Sequence, residues 1–518
     1  MSSSNSSTRQ LVNPSTCLLV NLSTRQLVNL STRQLINQTT LNLKLSNMKK
    51  TIYLALAATL LCLSANIAKA ENAKYEQNDN DTRRTMLRDS ILGLISGAER
   101  PEYKVSITKF GAKGNGTADC FKAFQKAMKH VAKRGGAHIV VPAGTYFIKG
   151  PVTLVSNVCL ELEEGATLKF DPTPELYPIV NSSWEGTYLY NYSPMIYGYG
   201  LENVSIIGKG CIDGNAMSTF ATWKEKQRPG KDRSRKMNHE QTPLDQRIFG
   251  EGYWLRPQLM QLYNCKNITL EGVKITNAPF WCIHLLKSEN IICRALRYDA
   301  KLVNNDGIDP ECSKNILIEG IHFNNGDDNV AIKSGRDDDG RNGKTPSENI
   351  IIRNCHFKGL HAVVIGSEMS GGVRNVIVEN CDYAGYCKRG IYIKTNPDRG
   401  GFVENLYVYN CEFDEVEDLF YATSMYAGEG MDNIHFSTVR NIFVNGIKCK
   451  KVLAAALVLQ GTDKKPIQNV EFRNITVDEA KIGISFDKTQ DVTMQNCHIG
   501  GRVGVPSTAA KKDNLWNR

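Results

Sequence analysis

The sequence predicts an all-β chain wound into a parallel β-helix, a solenoid of short strands with a capping helix over its N-terminal end. Three observations carry that expectation. Asn followed by an apolar run recurs at Asn267, Asn290, Asn315, Asn349, Asn375, Asn405, Asn441 and Asn469. Segments such as NITLEGVKI, NIIIRNCHF, NVIVENCDY and NLYVYNCEF alternate β-branched or aromatic residues with others, which is the strand period. The steps between these Asn residues are 23, 25, 34, 26, 30, 36 and 28 residues, too uneven for helical hairpins and suited to three-sided coils with loops of different length. Such coils cannot bury their apolar faces alone, so they stack, and the open ends need cover.

The elements follow in chain order. STRQLVN or STRQLIN occurs at Ser7, Ser23 and Ser31, a repeat unlike anything later in the chain. From Met48 a secretory signal is legible: Lys49 and Lys50, an apolar run from Ile52 to Leu63, then Ala68-Lys69-Ala70. We therefore expect translation to start at Met48, residues 1–47 to be upstream repeat read as protein, 48–70 to be a signal peptide, and the mature chain to be periplasmic or secreted. Residues 71–103 read as a polar lead-in. Thr117 to Lys133 puts Phe121, Phe124, Ala127, Met128 and Val131 on one helical face, and Gly135-Gly136 ends that helix. The solenoid is expected over 104–503, with a polar tail at 504–518.

Charge and cysteine narrow the function classes. Of 63 Lys and Arg, seven lie in residues 1–70, which hold no acid; the remainder has 56 bases against 53 acids. A surplus of three does not support nucleic acid as a partner. The apolar run is too short to span a bilayer, so no membrane span is expected. Setting aside Cys17 and Cys62 leaves 13 cysteines, an odd number with no zinc spacing, read as buried thiols stacked along the coils.

Chemistry-bearing residues recur at similar phase after the repeat Asn. Asp306 follows Asn290 by 16 residues, Asp327 and Asp328 follow Asn315 by 12 and 13, and His361 follows Asn349 by 12. Tyr392 and Lys394 follow Asn375 by 17 and 19. Stacked coils are about 4.8 Å apart, so these groups are expected to share one groove. Three gathered acids repel one another, which raises at least one pKa and sets a proton donor beside ionised bases. Glycoside hydrolysis needs that pairing. Lys224 to Gly250 breaks the rhythm as a charged, loop-like insertion, expected to close one end of the groove and make cleavage exo-acting.

NNDGID, GDDNVAIKSGRD, the His361 region ending in IGSEMSGGV, and RGIYIKTNPDRGG resemble the four signatures of glycoside hydrolase family 28, the polygalacturonases. The resemblance runs from about residue 104 to about 500. It implies a right-handed parallel β-helix and an inverting, metal-free, cofactor-free hydrolysis of galacturonosyl linkages, with a pectic polysaccharide or oligogalacturonide as partner. It implies Asp327 as general acid, Asp306 with Asp328 as activators of water, His361 as support for the acid, and Lys394 as holder of a substrate carboxylate. Departures stand beside it. The family's NTD is Asn304-Asn305-Asp306, its GHG is Leu360-His361-Ala362, and its RIK is Tyr392-Ile393-Lys394. Tyr392 cannot form a bidentate pair with a carboxylate but can stack on a sugar, which keeps rhamnose-containing or substituted pectin open. Arg389, Lys333 and Arg336 are candidates to supply the lost charge. Two other classes fit a β-helix: a calcium-dependent pectate lyase using Asp337, Asp338 and Asp339, acids otherwise expected to be solvated, and a noncatalytic glycan-binding solenoid.

Overall fold

The computed structural model describes residues 79–428, 434–500 and 502–503. The expected leader repeat, signal peptide and tail lie outside the described residues. Of a first unit, Met1–Asp81, only the helical residues 79–81 are described; the second unit, Thr82–Arg518, carries the solenoid.

Parallel pairing runs coil to coil, as the strand period requires. Ile268 pairs in register with Ile291, then Ile316, Ile350, Val376, Leu406, Ile442 and Val470, each buried in one continuous core. Every one is the residue after a repeat Asn. Burying a side chain of this size stabilises by about 1.5–3 kcal/mol, so the column itself drives the stacking. The repeat Asn residues sit at the corners with left-handed φ of 52–59°. Their amides form a ladder along the corner, for example Asn375 Nδ2 to Asn349 Oδ1 at 3.0 Å and Asn405 Nδ2 to Asn375 Oδ1 at 3.0 Å. Asn tolerates that conformation and its short amide reaches the next coil, which explains the residue choice.

The N-terminal cap is the helix Phe121–Arg134, ended by Gly135 at φ 83°. Phe124, Ala127, Met128 and Val131 are buried under it, and Phe121 packs at the core's edge. The helix starts later than the pattern indicated, because Asn115–Asp119 is a strand and Asp119 Oδ1 accepts the Phe121 amide at 2.9 Å. The expected polar lead-in contains a helix over 82–93, whose Ile91 packs on Leu317, Ile351, Ile377 and Tyr407 from successive coils. All thirteen cysteines of the described residues are free thiols, and all but Cys211 are buried. No helix among them is long and apolar enough to cross a membrane.

The charged insertion is not loop-like. Arg228–His239 is a helix whose buried face is Gly230, Ser234 and Asn238, small or polar residues four apart. That face has no apolar periodicity for a sequence reading to detect.

Candidate active site

The site lies where successive coils begin their strands. Asp328 opens the strand Asp328–Ile332, His361 opens His361–Gly366, and the two are register partners. His361 in turn pairs with Arg389, and Gly366 with Lys394. Val330, Val363 and Ile391 point inward to the core, while Ala331, Val364 and Tyr392 share the outer face. Asp306 lies one coil earlier, with the Gly307 amide donating to the Asp328 carbonyl at 2.8 Å. Residues scattered over 89 positions are thereby neighbours.

Asp328 is buried and held from two sides. His361 Nδ1 is 2.5 Å from its Oδ1, and Lys394 Nζ donates to its Oδ2 at 3.0 Å. An ionised carboxylate only accepts, so Nδ1 carries the imidazole proton. Burial alone would raise the Asp328 pKa, but Lys394 and His361 outweigh it and hold the group far below the usual carboxylate range. Half-buried Asp327 goes the other way: desolvation and the adjacent Asp328 charge raise its pKa despite Lys394 and His361. Asp327 Oδ2 accepts from Asn304 Nδ2 at 3.1 Å. Asp306 is buried, and desolvation together with Asp309, Asp327 and Asp328 pushes its pKa well up. Neighbouring acids with divergent pKa values can serve as donor and base. Donor atoms of Asp327, Asp328 and His361 lie within 4.8 Å of one another, compact enough for a cation, but the Lys394 ammonium already supplies positive charge there.

Two expected contacts differ. His361, stacked directly above, bonds Asp328 rather than the expected acid Asp327, and Lys394 from the next coil also engages Asp328. The three candidates for the lost charge are all engaged inside the protein. Lys333 is 3.3 Å from Glu368 and 3.7 Å from Asp309. Arg336 is 2.6 Å from Glu368, and Arg389 is 3.3 Å from Asp418 with its guanidinium 4.6 Å from the rings of both Tyr392 and Tyr421. Tyr392 is itself buried, packed among Val364, Tyr421 and Val458, so its ring is not an open sugar platform. Asp337, Asp338 and Asp339 are not solvated: they pair with Arg399 at 2.6 Å, Arg341 at 2.8 Å and Arg247 at 2.6 Å. That donor set is neutralised by the chain's own cations, which weighs against calcium ligation there.

Sequence reasoning missed Glu368 and Arg256, and noted Asn304 only as a departure from the family motif. Arg256 is fully buried, donates to Asn304 Oδ1 at 2.7 Å and to the Val303 carbonyl at 2.9 Å, and lies 4.8 Å from the Phe280 ring. Its partners are about 50 residues away or come from loops without a motif, so no local signal marks it.

The family model described as glycosyl hydrolases family 28 matches residues 133–499. The chain belongs to this family of polygalacturonases, and it is a glycoside hydrolase. Family 28 relatives include a probable polygalacturonase of Vitis vinifera, 29% identical over 72% of this chain and 74% of that protein. The exo-poly-alpha-D-galacturonosidase of Dickeya chrysanthemi is 29% identical over 53% of this chain and 49% of its own. Among solved structures, a hyperthermoactive exopolygalacturonase from Thermotoga maritima is 36% identical, covers 81% of this chain and 96% of its own, and superposes with a TM-score of 0.77. The right-handed parallel β-helix is thus the fold of this family 28 hydrolase.

Proposed function

We propose that the enzyme is exported and hydrolyses α-1,4-galacturonosyl linkages of pectin with inversion, acting from a chain end. One observation carries the reading: Asp327, with a raised pKa, adjoins Asp328, held ionised by Lys394 and His361. In this scheme Asp327 gives its proton to the leaving glycosidic oxygen. Asp328, with Asp306 beside it, takes a proton from water attacking the opposite face of the sugar, so the anomeric configuration inverts. His361 keeps Asp328 oriented and ionised, and thereby serves the base. Exo action draws support from the family relatives named for it and from the insertion, whose Lys224 bonds Asn304 at 3.0 Å, one hydrogen bond from Asp327. Export draws support from the Met48–Ala70 pattern.

The test is product analysis on polygalacturonate and on rhamnogalacturonan, with Asp327→Asn as control. The reading expects short products from polygalacturonate from the first minutes, reducing ends without ultraviolet absorbance, activity insensitive to chelator, and an Asp327→Asn variant that folds but loses about 10²–10⁴ in rate. Early long oligomers would remove exo action. An unsaturated product would replace hydrolysis with elimination.

A further inference from the structure

We infer that Lys224, on the charged insertion, binds a uronate carboxylate of the substrate beside the scissile bond and so makes the site selective for acidic sugars. The inference rests on the galacturonan reading above and supplies the residue that reading lacks.

A site that selects anionic sugars needs a cation whose charge is not already taken by a buried acid. At the position where the family motif has Arg, this chain has Tyr392, and its ring is buried. Lys394 is engaged by Asp328, Lys333 by Glu368 and Asp309, Arg336 by Glu368, and Arg389 by Asp418. Arg256 is fully buried under Asn304.

Lys224 differs from all of these. The residue is exposed, partial burial of its ammonium lowers its pKa, and among the described residues no salt bridge joins it to a carboxylate. Its hydrogen-bond partner is neutral, the Asn304 side-chain oxygen at 3.0 Å. Asn304 Nδ2 donates to Asp327 Oδ2 at 3.1 Å, so the ammonium stands two hydrogen bonds from the proposed acid. Glu185 and Asp327 act on Lys224 through space, but Glu185 is engaged by Arg235 at 2.9 Å and lies 3.7 Å from Arg336, and Asp327 accepts from Asn304.

Exchange of partner is easy here. Asn304 Oδ1 also accepts from Arg256 at 2.7 Å, so when Lys224 turns to a substrate carboxylate the amide oxygen keeps a donor and its Nδ2 stays on Asp327. An ammonium has three donors, so Lys224 can also hold both partners at once. The side chain comes from the insertion and not from a coil, which separates carboxylate recognition from the acids that would do the chemistry.

The experiment compares Lys224→Met and Lys224→Arg with the unaltered enzyme on oligogalacturonate and on its methyl ester. Lys224→Met is expected to raise KM for the acid form about tenfold, as loss of a charge-assisted hydrogen bond does, with kcat little changed. KM for the ester should not move, the salt dependence of KM should weaken, and Lys224→Arg should restore most of the affinity. Equal thermal midpoints for the variants would show that the fold is intact. An unchanged KM on the acid form, or equal losses on acid and ester, would overturn the assignment. If the unaltered enzyme fails to cleave oligogalacturonate, the galacturonan reading falls and Lys224 with it; if it cleaves and Lys224→Met behaves identically, only the Lys224 assignment falls.

Discussion

Lys394 and Asp328 are 66 residues apart in the chain, and Lys394 Nζ lies 3.0 Å from Asp328 Oδ2. Lys394 lies two coils on and five residues along the strand from Arg389, the register partner of His361 above Asp328, so side-chain reach as well as stacking brings the ammonium onto the carboxylate. This contact, with His361 on the other oxygen, holds Asp328 ionised far below the usual carboxylate range.

Replacing Lys394 by Met removes one of the influences that hold Asp328 ionised, leaving His361 and Lys333. Its pKa then rises, and because the proposed mechanism uses the carboxylate, activity should fall first at low pH. The acidic limb of the kcat/KM profile should move to higher pH. A profile that drops uniformly at every pH would place Lys394 on substrate instead.

Asp309 is fully buried, with Lys333 3.7 Å away and neither carboxylate oxygen hydrogen-bonded in the structure. Burial raises its folded pKa well above its ordinary value, Lys333 notwithstanding. The folded state therefore keeps a proton that the unfolded chain releases above about pH 3.9. Its contribution is present below that value and is lost as pH rises toward the folded pKa. Asp309→Asn should thus gain on the unaltered enzyme as pH rises from about 4 to about 7, read from denaturation midpoints across pH. A constant difference at all pH values would contradict this.

Asp337 is fully buried and 2.6 Å from Arg399. Arg399→Met leaves that carboxylate with the His239 ring, Nε2 at 3.4 Å, beside it. Breaking a buried pair on one side costs about 3 kcal/mol. Coils stack through nearest neighbours, so the loss should be local, seen as faster hydrogen exchange in the helix Asp337–Gly343 and in the insertion helix packed beside it.

Asn375 has φ 57°, donates to Asn349 and accepts from Asn405. Asn375→Gly should lose only the two side-chain bonds, while Asn375→Ala also carries the left-handed strain. Alanine should therefore be less stable than glycine by about 1 kcal/mol, the reverse of their order in a helix. Chemical denaturation of the two variants decides it.

How much was legible varied with the kind of signal. The Asn ladder, the inward column from Ile268 to Val470 and the cap residues Phe124, Ala127, Met128 and Val131 are local patterns, and each appears in the structure where its period put it. The insertion helix was not legible, since Gly230, Ser234 and Asn238 form its buried face. Nor were the triplet Asp337, Asp338 and Asp339, whose guanidinium partners lie at Arg399, Arg341 and Arg247, mostly far off in the chain.

The sequence by itself determined that strands of uneven coils stack in parallel and that Asp306, Asp327, Asp328, His361 and Lys394 recur at matching phase, because periodicity and corner residues are properties of the chain. Only the tertiary structure decided which acid each cation neutralises: Lys394 and His361 on Asp328, Lys333 and Arg336 on Glu368, Arg389 on Asp418, and Lys224 left on a neutral amide. The physical reason is that charge pairing depends on a few ångströms of side-chain reach between stacked coils and folded insertions, and no spacing along the chain encodes that distance.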